Sequence, residues 1–319
     1  MSYLTLLRES ARQNGSIACM GLDMVVEALP GSMASGGVGA LLNFYERLFR
    51  EMRKQGVLVG AFKPNHGFYE QHDEPREGRF SGSQALSAVM TLIEGMFPGT
   101  PIILDYKRGD IDRSSANYAA VGFKQWKADA VTVSPYMGSD SIAPFTQYCN
   151  EKDNRGVYIL NRTSNPGAAD IQGRIIDDDP SFQEMLDERL PVFMSAIDEI
   201  GVRRMYNKVA QHILDWAKGK PGVGAVVGAT GIEDLSQLAF IYAGQDIPLL
   251  VPGVGKQGGS AQDVIEALRA AHYDLSLARI NSSSGLTHPW KKSEHAPANW
   301  AEACTGKVRE LNEQIGYQA

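Results

Sequence analysis

Eight short apolar runs rich in β-formers recur along the chain, with amphipathic stretches between most of them, and no other feature of the sequence limits its fold so sharply. The runs cover residues 16–23, 57–63, 101–107, 130–134, 156–162, 224–229, 248–252 and 275–282. Most are apolar at nearly every position, as parallel strands covered on both faces require. The intervening stretches have helical spacing. In the first, Leu41, Leu42, Tyr45, Leu48, Phe49 and Met52 recur at that spacing, and Gly56 ends the pattern. Another opens at Ser260, an N-cap residue type, with Asp263 in its first turn. Strand and helix in alternation imply parallel strands joined by right-handed crossovers. Eight such units predict a closed (β/α)8 TIM barrel, with an open doubly wound sheet as the alternative.

The length of 319 residues suits one such barrel. No Gly-, Ser- or Pro-rich linker divides it, so residues 1–319 are expected to form a single domain. The connection 165–222 breaks the regular spacing. It reads as a long insertion after strand 5, with room for two helices and an acidic patch at Asp177, Asp178 and Asp179.

A net charge of −6, with Lys and Arg scattered, argues against a nucleic-acid surface. No apolar run approaches the roughly 20 residues a membrane span needs. The first 13 residues lack the apolar core of a signal peptide. Three widely spaced cysteines, Cys19, Cys149 and Cys304, do not make a disulfide framework and point to a reducing compartment. A cytoplasmic location is expected.

In a barrel the chemistry sits at the C-terminal ends of the strands. Here those ends carry Asp23, Lys63, Asp105 with Lys107, Ser134, Arg162 to Ser164, Thr230, and the glycine-rich stretch 253–259. Strand ends are also simply where solvent begins, but so many capable endings in register ask for more than that. The densest cluster is Asp105-Tyr106-Lys107-Arg108-Gly109-Asp110. Residues i and i+2 of a strand point the same way, so Asp105 and Lys107 are expected to face the mouth together, with Tyr106 toward the helices. Gly109 lets the chain turn and present Asp110. Lys63 precedes Pro64, which keeps it extended. Opposite charges about 4 Å apart attract by roughly 4 kcal/mol at an effective dielectric near 20. A lysine flanked by carboxylates therefore stays protonated and can act as a general acid. A surface ion-pair network beside a turn is the other reading of the same residues.

The stretch Pro252-Gly253-Val254-Gly255-Lys256-Gln257-Gly258-Gly259-Ser260 leads into a helix and has the make-up of an anion site, in the part of a barrel where phosphate commonly binds. It also matches G-x-G-x-x-G at Gly253, Gly255 and Gly258. That match falls in the seventh unit rather than the first, which argues against a dinucleotide site. Lys256 lacks the flanking residues of a P-loop. His66, His72, His212, His272, His288 and His295 form none of the spaced pairs that hold metals. No G-x-S-x-G elbow is present.

Taken together, Phe62-Lys63-Pro64-Asn65, Asp105-x-Lys107-x-Gly109-Asp110-Ile111, Asp129 through Tyr136, Arg162-Thr163-Ser164-Asn165-Pro166-Gly167-Ala168, Val227-Gly228-Ala229-Thr230 and the glycine loop resemble the orotidine 5′-phosphate decarboxylase family, in particular its longer bacterial subgroup. The resemblance covers roughly residues 16–286. It implies decarboxylation of orotidine 5′-phosphate to UMP and CO2, in de novo pyrimidine synthesis, without metal or organic cofactor. Lys63, Asp105, Lys107 and Asp110 match the family's charged tetrad. By that likeness Lys107 donates the proton to C6, Asp105 lies near the departing carboxylate, and Asp110 crosses the interface of a homodimer. Asp23 and Lys63 would hold the ribose, Ser164 would read the pyrimidine edge, Pro252 would line the base pocket, and Gln257 would contact phosphate. Ile111, Ser114, Gly255, Gly258, Ser283 and Ser284 complete the implied substrate-binding set.

The chain departs from the family at Asn281-Ser282-Ser283-Ser284-Gly285, where Ser284 takes the place of a phosphate-gripping arginine. A bidentate arginine supplies two charged hydrogen bonds, so phosphate binding is expected to weaken unless another cation compensates. Lys256 is the candidate. Arg279 lies within a strand, and Lys291 and Lys292 lie in the following segment. Two other functions fit the same residues. One is a Mg2+-dependent phosphosugar lyase of the same barrel group, with a metal near Asp105. The other is a catalytically silent nucleotide-binding protein.

Overall fold

The computed structural model describes residues 2–176, 204–290 and 295–318. The acidic patch at 177–179, and Lys291 and Lys292, lie outside those residues. Eight parallel strands run in sequence order around a barrel: β1 (Ala18–Gly21), β2 (Ala61–Lys63), β3 (Ile103–Arg108), β4 (Ala130–Val133), β5 (Gly156–Arg162), β6 (Val223–Val227), β7 (Leu249–Pro252) and β8 (Ala278–Ser282). Continuous pairing runs from β2 through β1 and β8 round to β3. Between β2 and β3 the ladder shrinks to two parallel bridges, Phe62 with Ile102 and Asn65 with Asp105. Pro64 lies between them and has no N–H to donate. It contributes its carbonyl instead, which accepts from the Asp105 amide at 2.9 Å. The barrel closes there, and the closure ends on the charged cluster.

The expected alternation is present. The first apolar helical face forms a helix over Ala40–Lys54, burying Leu41, Phe44, Tyr45, Leu48, Phe49 and Met52. Ser260 caps the helix Ala261–Ala270 by accepting the Asp263 amide at 3.2 Å. The eighth strand begins later than its apolar run. Leu275–Leu277 is a 3-10 turn, because the Asp274 carboxylate accepts the Ser276 amide and pulls the chain out of extension.

The N-terminal helix, Tyr3–Asn14, closes the barrel floor. It opens at Ser2, whose hydroxyl accepts the Thr5 amide, and stops at Gly15 in the left-handed region. Tyr3 is buried and donates to the Tyr158 hydroxyl of β5. Arg279 of β8 is fully buried at the same end and donates to the carbonyls of Leu7, Gly60, Ser276 and Ala278. That side chain belongs to the floor, away from the mouth.

The insertion after β5 begins with a short helix, Ala168–Ile171, and ends in a helix over Met205–Ala217. Its two ends are clasped: Ile175 bridges Arg204, and the Met205 amide donates to the Arg174 carbonyl at 2.9 Å.

Candidate active site

At the mouth, β2 and β3 deliver a line of alternating charge. Lys63 Nζ lies 2.6 Å from Asp105 Oδ2, and Lys107 Nζ lies 2.5 Å from Asp105 Oδ1. Exposure rises along the line. Lys63 and Asp105 side chains are 5% and 7% exposed, while Lys107 is 46% exposed. Burial alone would drive the Asp105 carboxyl up, but Lys63 and then Lys107 more than offset it and hold it well below the usual carboxylate range. Burial would likewise strip the proton from Lys63. Asp105 and then Asp23 reverse that and hold its ammonium above the ordinary lysine value.

The expectation that Asp105 and Lys107 face the same way holds for a different reason than strand alternation. Between Leu104 and Arg108, β3 advances four residues while β4 advances two, from Val131 to Val133. Lys107 stands in this bulge with φ of 45°, in the left-handed region. For a non-glycine residue that costs about 1–3 kcal/mol, so the surroundings must hold it. Thr132 of β4 does so, its hydroxyl accepting the amides of both Tyr106, at 3.1 Å, and Lys107, at 3.0 Å. Tyr106 points outward as expected and donates to the Tyr118 carbonyl.

Asp23 follows β1, where the Leu22 carbonyl accepts from Tyr69 and the Met24 amide donates to Tyr45. Its Oδ1 is buried with no hydrogen-bond partner among the described residues. Across the mouth, the Ser164 hydroxyl donates to Gln257 Oε1 at 2.8 Å, which leaves the Gln257 amide nitrogen free to donate elsewhere. Gly253 is required at this contact, since a Cβ there would sit 2.9 Å from Ser164 Cβ. Ser283 packs against Gly21, where any side chain would collide with its hydroxyl.

The glycine loop differs from the expected open amide cradle. The amides of Gly255, Gly258 and Gly259 donate to carbonyls inside the loop, those of Gly259, Gly255 and Gly253. Lys256 reaches across to the turn after β8, its Nζ lying 3.1 Å from the His288 carbonyl. The His288 amide in turn donates to the Ser284 carbonyl, so the Lys256 ammonium stands beside the turn that Ser284 begins. Ser282 lies between the two loops, its hydroxyl 3.4 Å from an ideal Cβ on Gly255 and the same distance from one on Gly285. Pro252 is half-buried at the end of β7.

Three of the candidate residues remain apart. Asp110 accepts its neighbour's amide, from Ile111, at 2.8 Å and makes no ion pair among the described residues. Ile111 is 55% exposed, and Ser114 is exposed in the next turn. Thr132 was not among the candidate residues. Its signal is visible in hindsight, as the one polar side chain in the buried strand Ala130-Val131-Thr132-Val133. Among the described residues no group of three His, Cys, Asp or Glu side chains could hold a metal ion, and no helix is long and apolar enough to cross a membrane.

The model of the orotidine 5′-phosphate decarboxylase / HUMPS family matches residues 19–276. The chain belongs to that family. It is 34% identical over 298 residues to the orotidine 5′-phosphate decarboxylase of Cupriavidus taiwanensis, covering 93% of both chains. Against that of Ralstonia nicotianae it is 31% identical over 315 residues, covering 99% of this chain and 98% of the other. Among solved structures it is similar to Leishmania donovani OMP decarboxylase, at 28% identity and a TM-score of 0.69 with both chains fully covered. The Methanocaldococcus jannaschii decarboxylase, solved with the inhibitor BMP, shares the fold at 17% identity and a TM-score of 0.57.

Proposed function

We propose that the chain decarboxylates orotidine 5′-phosphate to UMP and CO2 in pyrimidine synthesis, as a single domain, using its own side chains and no cofactor. The observation that carries this reading is the Lys63–Asp105–Lys107 line, two ammonium groups held by one buried carboxylate with the outer ammonium open to the mouth. When the C6–carboxylate bond breaks, its electron pair stays on C6, which the ring delocalises poorly. A fixed ammonium at that point stabilises the carbanion and then donates its proton, and CO2 leaves. Lys107 is that donor, and Asp105 faces the departing carboxylate. Asp23 and Lys63 hold the ribose, Ser164 and Pro252 hold the base, and Gln257 binds phosphate through its free amide nitrogen, with Gly255, Gly258, Ser283 and Ser284 around it. Lys256 supplies the positive charge at that end, because among the described residues its ammonium has one neutral acceptor, which leaves two donors.

Asp110 reaches the line from a second copy of the chain, with Ile111 and Ser114 beside it. In its own chain it pairs with no cation among the described residues, exposed Ile111 follows it, and exposed Met137 lies against the neighbouring Gly109, apolar surface suited to a homodimer. The Mg2+-lyase reading is disfavoured because both Asp105 oxygens already take an ammonium hydrogen bond.

The test is steady-state turnover of orotidine 5′-phosphate, followed by ultraviolet absorbance with EDTA present. Turnover that survives EDTA and disappears in Lys107→Ala supports the reading. Loss of turnover in EDTA points to the metal-dependent lyase, and UMP binding without turnover to a silent binder.

A further inference from the structure

Thr132 has a hydroxyl with one proton and two lone pairs, and all three are spoken for. The amides of Tyr106 and Lys107 can only donate, so the hydroxyl accepts both, at 3.1 and 3.0 Å. Its own proton is therefore left for Asp105 Oδ1, at 2.9 Å. Thr132 is buried, and it stands opposite the bulge where β3 gains two residues on β4. Consecutive amides converge on one oxygen only where the backbone turns, and the turn is the left-handed φ of Lys107. One hydroxyl thus fixes both ends of the outer ion pair: the backbone that carries Lys107 and the carboxylate oxygen that Lys107 binds.

We infer that Thr132 is a positioning residue, whose hydroxyl aims the Lys107 ammonium by holding the β3 bulge and orienting the Asp105 carboxylate. It acts through Lys107 and Asp105, and it rests on the decarboxylase reading above for the reaction it serves. On that reading the base and phosphate are held on the opposite side of the mouth, around Ser164, Gln257 and Lys256, and Lys63, which holds the ribose, bonds the other Asp105 oxygen, Oδ2. A loosened Lys107 should therefore appear in kcat rather than in KM.

The experiment compares Thr132→Val, which keeps the shape and removes the hydroxyl, with Thr132→Ser, which keeps the hydroxyl. Thr132→Val is expected to lower kcat about tenfold to a hundredfold, the range of a lost hydrogen bond to a charged group, with KM changed less than about threefold. Thr132→Ser is expected to stay within about threefold of the parent in both. A Thr132→Val enzyme with parental kcat, or a Thr132→Ser enzyme as slow as the valine variant, overturns the inference. If Thr132→Val does not fold, hydrogen exchange of the parent and of Thr132→Ser decides. The Tyr106 and Lys107 amides must be protected in both, and rapid exchange at either position overturns the proposal. Failure of the decarboxylase reading is separate, because it appears as absent turnover in the parent while the protection of those two amides is still measurable.

Discussion

Asp105→Asn removes the carboxylate that ion-pairs with both ammonium groups of the line. In the parent, Lys63 and Asp105 are almost fully buried 2.6 Å apart. Breaking such a pair by neutralising one partner leaves a buried cation and costs about 3–5 kcal/mol. At roughly 2–4 °C per kcal/mol for a chain of this order, the melting temperature should fall by about 6–20 °C near neutral pH. The pH dependence fixes the cause. Without Asp105 only Asp23 still favours the Lys63 ammonium among the neighbouring acidic side chains, against the larger effect of burial, so the folded value of Lys63 is expected to fall below that of the unfolded chain. The unfolded state then binds more protons, so the variant gains stability as pH rises toward about 10, and its gap to the parent narrows. In the parent the Lys63 contribution has the opposite sign, complete below the ordinary lysine value and lost above it. On the acid side, Asp105 has a depressed folded value. Its contribution is complete above the unfolded value near 4 and is lost as pH falls through the folded one, and this slope should vanish in Asp105→Asn. The assay is thermal unfolding by circular dichroism across pH, for the parent, Asp105→Asn and Lys63→Met/Asp105→Asn. The double variant removes the stranded cation and should melt above the single. A single variant within about 0.5 kcal/mol of the parent, or a double no better than the single, would refute the reasoning.

Lys256→Ala should raise KM for orotidine 5′-phosphate about tenfold or more and leave binding of the unphosphorylated nucleoside unchanged, as measured by initial rates and calorimetry. If the proposed homodimer shares its sites, Lys107→Ala and Asp110→Ala, each inactive alone, should recover about a quarter of parental activity when unfolded and refolded together, because half the dimers would be hybrid and each hybrid would have one intact site. Arg279→Met should lose about 2–4 kcal/mol in denaturant unfolding, since four carbonyls, three of them in buried bonds, lose a charged donor, with KM unchanged.

The barrel was legible because its signal is repeated: eight short apolar runs, most separated by amphipathic stretches, leave few ways to bury them. The strand ends were legible for the same reason, since Lys63, Asp105 and Lys107 interrupt runs that are otherwise apolar. Local backbone geometry was not. Strand alternation places Asp105 and Lys107 on one face, yet the pair forms across a bulge whose amides bond to Thr132, a residue 25 positions from Lys107 in sequence. Glycines at 253, 255 and 258 read as free amides, but their positive φ values fold the loop back on itself and consume donors at Gly255 and Gly258. Arg279, discounted as a phosphate ligand because it lies within a strand, is buried at the floor, where it bonds the Leu7 and Gly60 carbonyls.

On the proposed decarboxylase reading, with Lys107 as proton donor and Lys256 at the phosphate, the two halves of the mouth place different demands on the chain. The Lys63–Asp105–Lys107 line must be rigid, because a proton donor misplaced by about 1 Å forfeits much of its advantage. It accordingly rests on two adjacent strands and a fully satisfied hydroxyl. The anion end needs charge more than fixed direction, since an ammonium acts on phosphate as a point charge while a guanidinium must match its geometry. That end is built on two loops, joined by the contact of Lys256 with His288. Replacing an arginine by Ser284 is tolerable there because the lost interaction is remote from C6, and a lysine on the neighbouring loop can restore the charge without restoring the fork. The same exchange at Lys107 or Asp105 has no such remedy, because Asp105 is the one carboxylate that ion-pairs with Lys107 among the described residues and it also holds Lys63.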